Sequence, residues 1–503
     1  MSDVLRAYIS RTLVGAAAVL PVPVVAGDVP DPSAIYDNGQ HVAVVTANGW
    51  APSFRIFTST DRTNWALRGQ VFTNPPKWAE VNMWAPEITK LSEGRYAVYF
   101  SARSRRRQDP WFCIGAAFSN SATGPFKDLG APIRCGEEGS IDPYVLRDEN
   151  GRRTLIFKND GNEFMRPTSI WAQPMSEDGT RVEGNPTVIM RNDAVWEGGV
   201  IEGPSIVRSG GYFHMLYSGG LFGGTVGCDY ALGVARSRTV MGEWEKFPGN
   251  PVIKGGNGWS CPGHGSVYPG PNGTLDTLYH AYPEGAGRIA GRQMIADSAG
   301  FRPDNWLTVG TGTPPPRSPG AAVLAFRETF RGRLDANWEW PFMRKPGMRV
   351  NRGLRLTGSR RGRDRLDAGV IARRTASENY TGTAVLDRGA LRGKAQGGIA
   401  AYRSEFESIG LSVGREQMTI WQRRRGKLKV LARRPAPTSR VVHLRVIARG
   451  NTFVFQTSGD GRRFRSVTRR LRGPIYESAR FALTVGGVRR GSAVFSGAAV
   501  SGN

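Results

Sequence analysis

Thiol-based metal chemistry is missing from this chain. Its four cysteines, Cys113, Cys135, Cys228 and Cys261, include no C-x-x-C pair, and their spacing fits no zinc pattern. Long apolar runs are also missing beyond the N-terminus, so no later stretch could cross a bilayer. Extended helical periodicity is absent, which argues against an α-rich fold. Disorder is excluded in turn by 40% apolar and 10% aromatic residues among 503. The 65 glycines and 32 prolines suit many short strands joined by turns.

At the N-terminus, Arg6 and Arg11 precede an apolar run from Thr12 to Ala26, with small residues Val24 and Ala26 before a cleavage point. This is the layout of a secretory leader over residues 1–26, and it predicts an extracellular protein. An uncleaved anchor is the alternative, but about 15 residues broken by Pro21 and Pro23 would span a bilayer poorly. In an exported chain the cysteines predict two disulfides. Cys113–Cys135 and Cys228–Cys261 are the sequence-local pairing among three, and four free thiols are the alternative.

The net charge of +26 is one-sided. Residues 1–320 hold 30 Lys and Arg against 30 Asp and Glu, whereas residues 321–503 hold 38 against 12. The step marks a domain boundary near residue 320. A basic second half suits an acidic polymer such as pectin, a cell surface or nucleic acid, although a solvated Arg-rich surface is the favoured reading. No nucleic-acid motif accompanies the charge.

The first 320 residues repeat one pattern five times: DPSAIYDNGQHVAVVTA from Asp31, APEITKLSEGRYAVYFSA from Ala85, DPYVLRDENGRRTLIFKN from Asp142, GPSIVRSGGYFHMLYSG from Gly203 and GSVYPGPNGTLDTLYHA from Gly265. Each is a short strand, a polar turn with glycine, and a second strand of β-branched and aromatic residues, which is a hairpin. Starts recur about every 54 to 62 residues, enough for some four strands per unit, and this predicts a five-bladed β-propeller over residues 27–310. A Pro-rich segment, TGTPPPRSPG, predicts a stiff linker over residues 311–322. Short runs such as GLRLTG, GVIARRT, VVHLRVIAR, TFVFQTS and RFALTVGG then predict an all-β sandwich over residues 323–503.

In a propeller the first residues of the innermost strands converge on one end of the central channel. The repeats therefore bring together Asp31, the Trp84–Glu87 region, Asp142, Glu202 and His264. Acids fall at the same phase of repeats one, three and four. Any one Asp-Pro or Glu-Gly-Pro is ordinary turn chemistry. Three carboxyls in one pocket are different: like charges push at least one pKa upward, so a protonated acid stands beside an ionised base, as glycosidic cleavage requires.

The motifs VPDPSAIY around Asp31, MWAPEI at Met83–Ile88, SIDPYVLRDENG from Ser140, IEGPSIV around Glu202 and PGHGSV at Pro262–Val267 resemble glycoside hydrolase family 43, the arabinanases, α-L-arabinofuranosidases and β-xylosidases. The resemblance covers roughly residues 28–310. It implies that Asp31 is the general base, that Glu202 is the general acid, and that Asp142 orients Glu202 and raises its pKa. It implies inversion at the anomeric carbon, with the Asp31 and Glu202 carboxyls roughly 6.5–9.5 Å apart. It implies Arg292 and His264 as substrate contacts. Trp84 suits a sugar-stacking platform as well as it suits propeller packing. The resemblance implies no required cofactor; in many members a calcium or sodium ion, held through water, lies beside the position of His264, where an ordinary hydrogen-bonded core histidine is the other reading. The substrate class implied is arabinose- or xylose-containing polysaccharide or oligosaccharide of plant cell walls.

Less weight falls on KNDGN, Lys158–Asn162, which predicts a border to the pocket, and on RSRRRQ from Arg103, which reads as solvated surface or a contact for acidic decorations. FRETFRGRLDANWEW and TFVFQTSGDGRRF resemble the concanavalin-like sandwich appended to some family members. A non-catalytic carbohydrate-binding propeller is the alternative function, against which stand all three acids. Fructan hydrolysis would call for an Asn-Asp-Pro-Asn nucleophile motif where this chain has Pro30-Asp31-Pro32-Ser33.

Overall fold

The computed structural model describes residues 23–105, 111–223, 227–285, 288–318, 324–360, 365–475 and 477–502. Apart from short 3-10 turns, its regular structure is all strand, and no helix among these residues is long and apolar enough to cross a membrane. Five antiparallel sheets follow one another along the chain, each a meander whose strands pair in sequence order. Their innermost strands are Ser33–Asp37, Ala79–Ser92, Ser140–Arg147, Ile201–Ser209 and Trp259–Pro269. This is the five-bladed propeller. The second strands, such as Arg95–Ser104 and Tyr212–Gly219, are buried almost throughout, because the neighbouring blades cover both faces.

The ring closes through its two ends. Val24 N–H donates to the Met294 carbonyl and Met294 N–H to Val25, both at 3.0 Å, so residues just before the first blade join the fifth. These residues belong to the stretch read above as leader, whose first 22 residues lie outside the described ones. Both disulfides are present, in the sequence-local pairing. Cys113 and Cys135 sit opposite each other and staple the outer edge of the second blade, while Cys228–Cys261 ties the fourth blade to the fifth. The Pro-rich segment lies against the fifth blade: Asn257 Nδ2 donates to the Pro314 carbonyl at 2.9 Å and Trp259 Nε1 to Pro315 at 3.1 Å.

The C-terminal part is a sandwich of a nine-stranded and a six-stranded sheet. Inward residues such as Leu444, Val446, Phe455, Phe495, Ile399, Leu411 and Leu483 fill the space between them. The strands read from sequence form, together with Glu407–Val413, Gln417–Arg424, Lys427–Pro435 and Ser492–Gly502. The other face of the six-stranded sheet packs Tyr402, Trp421 and Ala482 around Trp50 of the propeller. Glu339 locks this seam. It is 1% exposed and is met by Arg374 at 2.7 Å, Arg480 at 2.8 Å and Arg55 of the propeller at 3.5 Å. Burial opposes its charge, and the three arginines outweigh that and hold its pKa down at about 2.

Below the convergence of the innermost strands lies a cavity of about 20 Å³ lined by Ser33, Glu87, Ser205 and Ser266 among others. Glu87 accepts a hydrogen bond from Ser33 Oγ at 2.5 Å, and burial pushes its carboxyl up to about 8. A folded-state pKa above the unfolded one costs stability as pH rises from about 4.5 to 8. Glu87→Gln is therefore expected to match the parent in thermal unfolding at pH 5 and to exceed it at pH 8.5 by roughly 2 °C; equal shifts at both pH values would refute this.

Candidate active site

Each blade opens with a left-handed residue, which in blades two to five forms a β-bulge of one kind. Asp31, Ala85, Asp142, Gly203 and His264 have positive φ, from 39° to 62°. In blades two to five that residue and the next together face a single partner residue, so the register skips between Trp84 and Glu87, Ile141 and Tyr144, Glu202 and Ser205, and Gly263 and Ser266. The left-handed turn brings the residue itself, its predecessor or both to one cavity of about 770 Å³: Asp31, Trp84 with Ala85, Ile141 with Asp142, Glu202, and His264. Asp31, Trp84, Asp142, Glu202, His264 and Arg292 all line it. One detail differs from the repeat reading. Asp31 and Asp142 share a phase, but their counterpart in the fourth blade is Gly203, and Glu202 stands one residue earlier. Gly203 suits its place twice over: its φ is +62°, and a Cβ there would lie 3.1 Å from the His264 ring.

Asp31 is buried and surrounded by donors. Arg292 Nη1 reaches Oδ1 at 3.1 Å, His280 Nδ1 lies 3.1 Å away, and His264 Nδ1 lies at 3.8 Å. Burial alone would raise its pKa; Arg292, then His264 and His280, overcome that and hold the carboxyl far below the usual range. His280 itself is pushed down to about 4, first by burial and then by Arg292, so it is neutral at physiological pH.

Asp142 and Glu202 form the second centre. Asp142 Oδ2 accepts the Gly203 N–H at 3.0 Å, and His264 Nδ1 stands 3.9 Å away. Glu202 Oε2 meets Lys158 Nζ at 2.6 Å, and Oε1 accepts from the Tyr230 hydroxyl at 2.7 Å. The two carboxyls titrate as a unit. Burial and the Glu202 charge raise Asp142 to about 6, against the pull of His264. Burial works upward on Glu202 too, but Lys158 and His264 bring it below its ordinary value. The upward shift expected on Glu202 thus falls on Asp142, because a buried ammonium touches Glu202.

Asp142, Glu202 and His264 each place a ligand atom within 4.8 Å of the others. Direct metal ligation fits this cluster poorly, since Lys158 already supplies the cation on Glu202 and Asp142 Oδ2 is bonded to a backbone amide. Trp84 lines the cavity and is backed by Phe112, ring centroids 4.3 Å apart and nearly parallel. Lys158, Asp160 and Asn162 of KNDGN border the cavity as read. Of RSRRRQ, Arg105 Nε is bonded to the Ala79 carbonyl at 2.6 Å, and Arg106 to Gln108 lie outside the described residues.

Several residues escaped the sequence reading. Tyr230 and His280 lie outside the repeat starts, and only the scarcity of histidine marks His280. The sandwich also reaches the site: Tyr402 to Glu407 and Glu477, Ser478 and Arg480 line the same cavity, with Phe406 (57% exposed) across from the propeller's Phe222 (37% exposed). No local pattern announces them, because they arrive from another domain.

Comparison with known proteins gives the same picture. Residues 20–307 match the model of Glycosyl hydrolases family 43, and residues 327–499 match the Beta xylosidase C-terminal Concanavalin A-like domain. The extracellular endo-α-(1→5)-L-arabinanase 1 of Bacillus subtilis is 26% identical over 273 residues, covering 50% of this chain and 79% of that protein. The xylan 1,3-β-xylosidase of a Vibrio species is 23% identical over 411 residues, covering 71% and 72%. Among solved structures, the xylan β-1,4-xylosidase from Bacillus halodurans superposes with a TM-score of 0.78 at 18% identity, covering 96% of this chain and 100% of that one. With the family model spanning more than half its length, the chain belongs to glycoside hydrolase family 43 and is a glycosidase.

Proposed function

We propose that the protein is an exported, exo-acting, inverting glycosidase that removes β-D-xylosyl or α-L-arabinofuranosyl units from plant cell-wall chains. The observation that carries this reading is the meeting of Asp31, Asp142 and Glu202, from three blades, in one cavity with opposed proton affinities. Asp31, kept ionised by Arg292, takes the proton from the attacking water as general base. Glu202 is the general acid that protonates the leaving oxygen. Asp142 orients it through its bond to the adjoining Gly203 N–H, while Lys158 and Tyr230 stabilise the carboxylate that forms on Glu202 as the bond breaks. Arg292, His264 and the Trp84 face contact the sugar.

Exo action is supported by the sandwich residues 402–407, Glu477, Ser478 and Arg480, which add a wall from a second domain to the cavity. The Vibrio β-xylosidase matches across both domains, whereas the Bacillus subtilis arabinanase matches over 273 residues, and this favours terminal xylose or arabinose over internal arabinan bonds. Among the described residues, every cation that lines the cavity, from Lys158 and Arg292 to Arg344, Arg403 and Arg480, has a carboxylate within 4.0 Å, which favours neutral sugars there. A cation at His264 would be held through water, and the chemistry needs none. Export rests on the leader pattern and on the extracellular arabinanase and arabinofuranosidase relatives, with cleavage before the Val24–Val25 pairing that closes the ring. The domains follow residues 24–310, 311–322 and 323–503, the expected leader of residues 1–26 being shortened by that pairing.

Glu202→Gln is expected to fold normally and to lose at least about a thousandfold in kcat on nitrophenyl xyloside and arabinofuranoside. The parent should release monomer with inverted configuration by NMR; oligomers from debranched arabinan, or retention, would overturn the reading. Because the acid must carry its proton, kcat/KM should fall as pH rises through about 6, the value to which Asp142 is raised. Lys158→Met removes the charge that lowers Glu202 and should move this basic limb upward by about one unit. For the sandwich, exposed Arg424, Arg433, Arg434, Arg462, Arg463 and Arg472 suit an acidic wall polymer. Salt-sensitive retention on polygalacturonate is expected. Its absence would leave these charges to solubility and to protection of the edge strand Lys427–Pro435.

A further inference from the structure

Arg292 stands on a segment, residues 288–293, that runs along the seam between the domains. On the sandwich side, Ser478 and Ala479 donate their backbone N–H groups to the carbonyls of Arg288 and Ile289, both at 3.0 Å. Gln293 Nε2 donates to the Ala376 carbonyl at 3.1 Å. On the propeller side, Val29 N–H donates to the Arg292 carbonyl at 2.8 Å, and Arg292 N–H donates to Asp28 Oδ1 at 3.3 Å. The turn into Arg292 is tight. Gly291 has φ +76°, and a Cβ there would lie 2.5 Å from that of Asp28.

Side chains close the same seam. Glu477 Oε2 accepts from the Tyr282 hydroxyl at 3.1 Å, and Oε1 accepts from Arg403 at 2.6 Å. Tyr282 is a buried residue of the fifth blade, so one sandwich carboxylate spans both domains. Asp28 in turn lies 3.8 Å from Arg480, which is anchored on Glu339. Burial opposes the Arg292 charge, and Asp31, Tyr282, Asp28 and Glu477 together outweigh it. The sandwich thus holds the backbone beneath Arg292 and adds a carboxylate to its field.

We propose that Glu477 is a positioning residue, which with Tyr282 and Arg403 fixes the seam carrying Arg292 and so lets the sandwich orient the base Asp31. This rests on the reading of Asp31 as general base. The other groups facing Asp31 are His264, His280 and Asp142, all from the propeller, so Arg292 is the route by which the sandwich acts on it.

The test is Glu477→Gln in the full chain, read by kcat/KM against pH on a nitrophenyl glycoside beside thermal unfolding. A loosened Arg292 favours Asp31 less, so its pKa rises and the acidic limb moves to higher pH, by about one unit. The basic limb should stay in place, and the plateau should fall roughly tenfold. Placed on Arg292→Lys, the same substitution should add no further shift, since the route is already cut. An unmoved acidic limb in a folded variant overturns the proposal, as does a loss equal at every pH that tracks a lower unfolding temperature. If Glu477→Gln does not fold, Tyr282→Phe is read in the same way, and an unmoved limb there is equally fatal. Asp31→Asn separates the two layers: if it stays active, the base assignment falls, whereas an inactive Asp31→Asn beside an unmoved Glu477→Gln overturns this inference alone.

Discussion

Everything at the mouth of the channel depends on a left-handed residue at the start of each innermost strand. A regular strand would send successive side chains to opposite faces, and only alternate ones would reach the axis. The bulge spends two residues against one partner and turns the chain, so that neighbours such as Trp84 and Ala85 or Ile141 and Asp142 both border the cavity. Non-glycine residues at positive φ carry a cost, and four of the five positions accept it. The ring of blades supplies the compensation: backbone N–H groups at these turns are bonded to Thr46 Oγ1, Ser101 Oγ and Ser218 Oγ of neighbouring segments.

The acids gathered there are separated by the partners they meet, not by their own chemistry. Asp31 and Asp142 have the same residue type, the same φ and similar burial, yet one is driven far down and the other up to about 6. Arg292 and two histidines face the first, while the Glu202 carboxylate faces the second. Lys158 completes the division by drawing negative charge onto Glu202. A glycosidase needs this asymmetry, and single blades cannot provide it, because each partner comes from another blade or from the seam with the sandwich.

The second domain is bound into this arrangement. Glu339 gathers arginines from both sides in a site where an unpaired charge would be costly. The Trp50–Ala51 strand pairs with Trp340–Pro341, and the six-stranded sheet lies over Trp50. The sandwich therefore adds a wall to the pocket and also grips the segment that carries Arg292.

How far this could be read in advance follows from physical range. Hairpins, blade number, the sandwich and the positions of Asp31, Asp142 and Glu202 were legible, since turn residues, alternation and repeat spacing act over a few residues and recur in phase. The one-residue offset of Glu202 was not, because a bulge leaves almost no mark beyond a Gly-Pro. Lys158 was visible only as a bordering residue, and Tyr230, His280 and Glu477 were invisible as members of the site. The sequence alone determined which strands form and which acids share one end of the ring, through local propensity and period. Tertiary structure alone decided which carboxyl is pushed up, which is held down and which domain grips the segment carrying Arg292, because burial and charge act through space between residues as far apart as Asp31 and Arg292 or Tyr282 and Glu477.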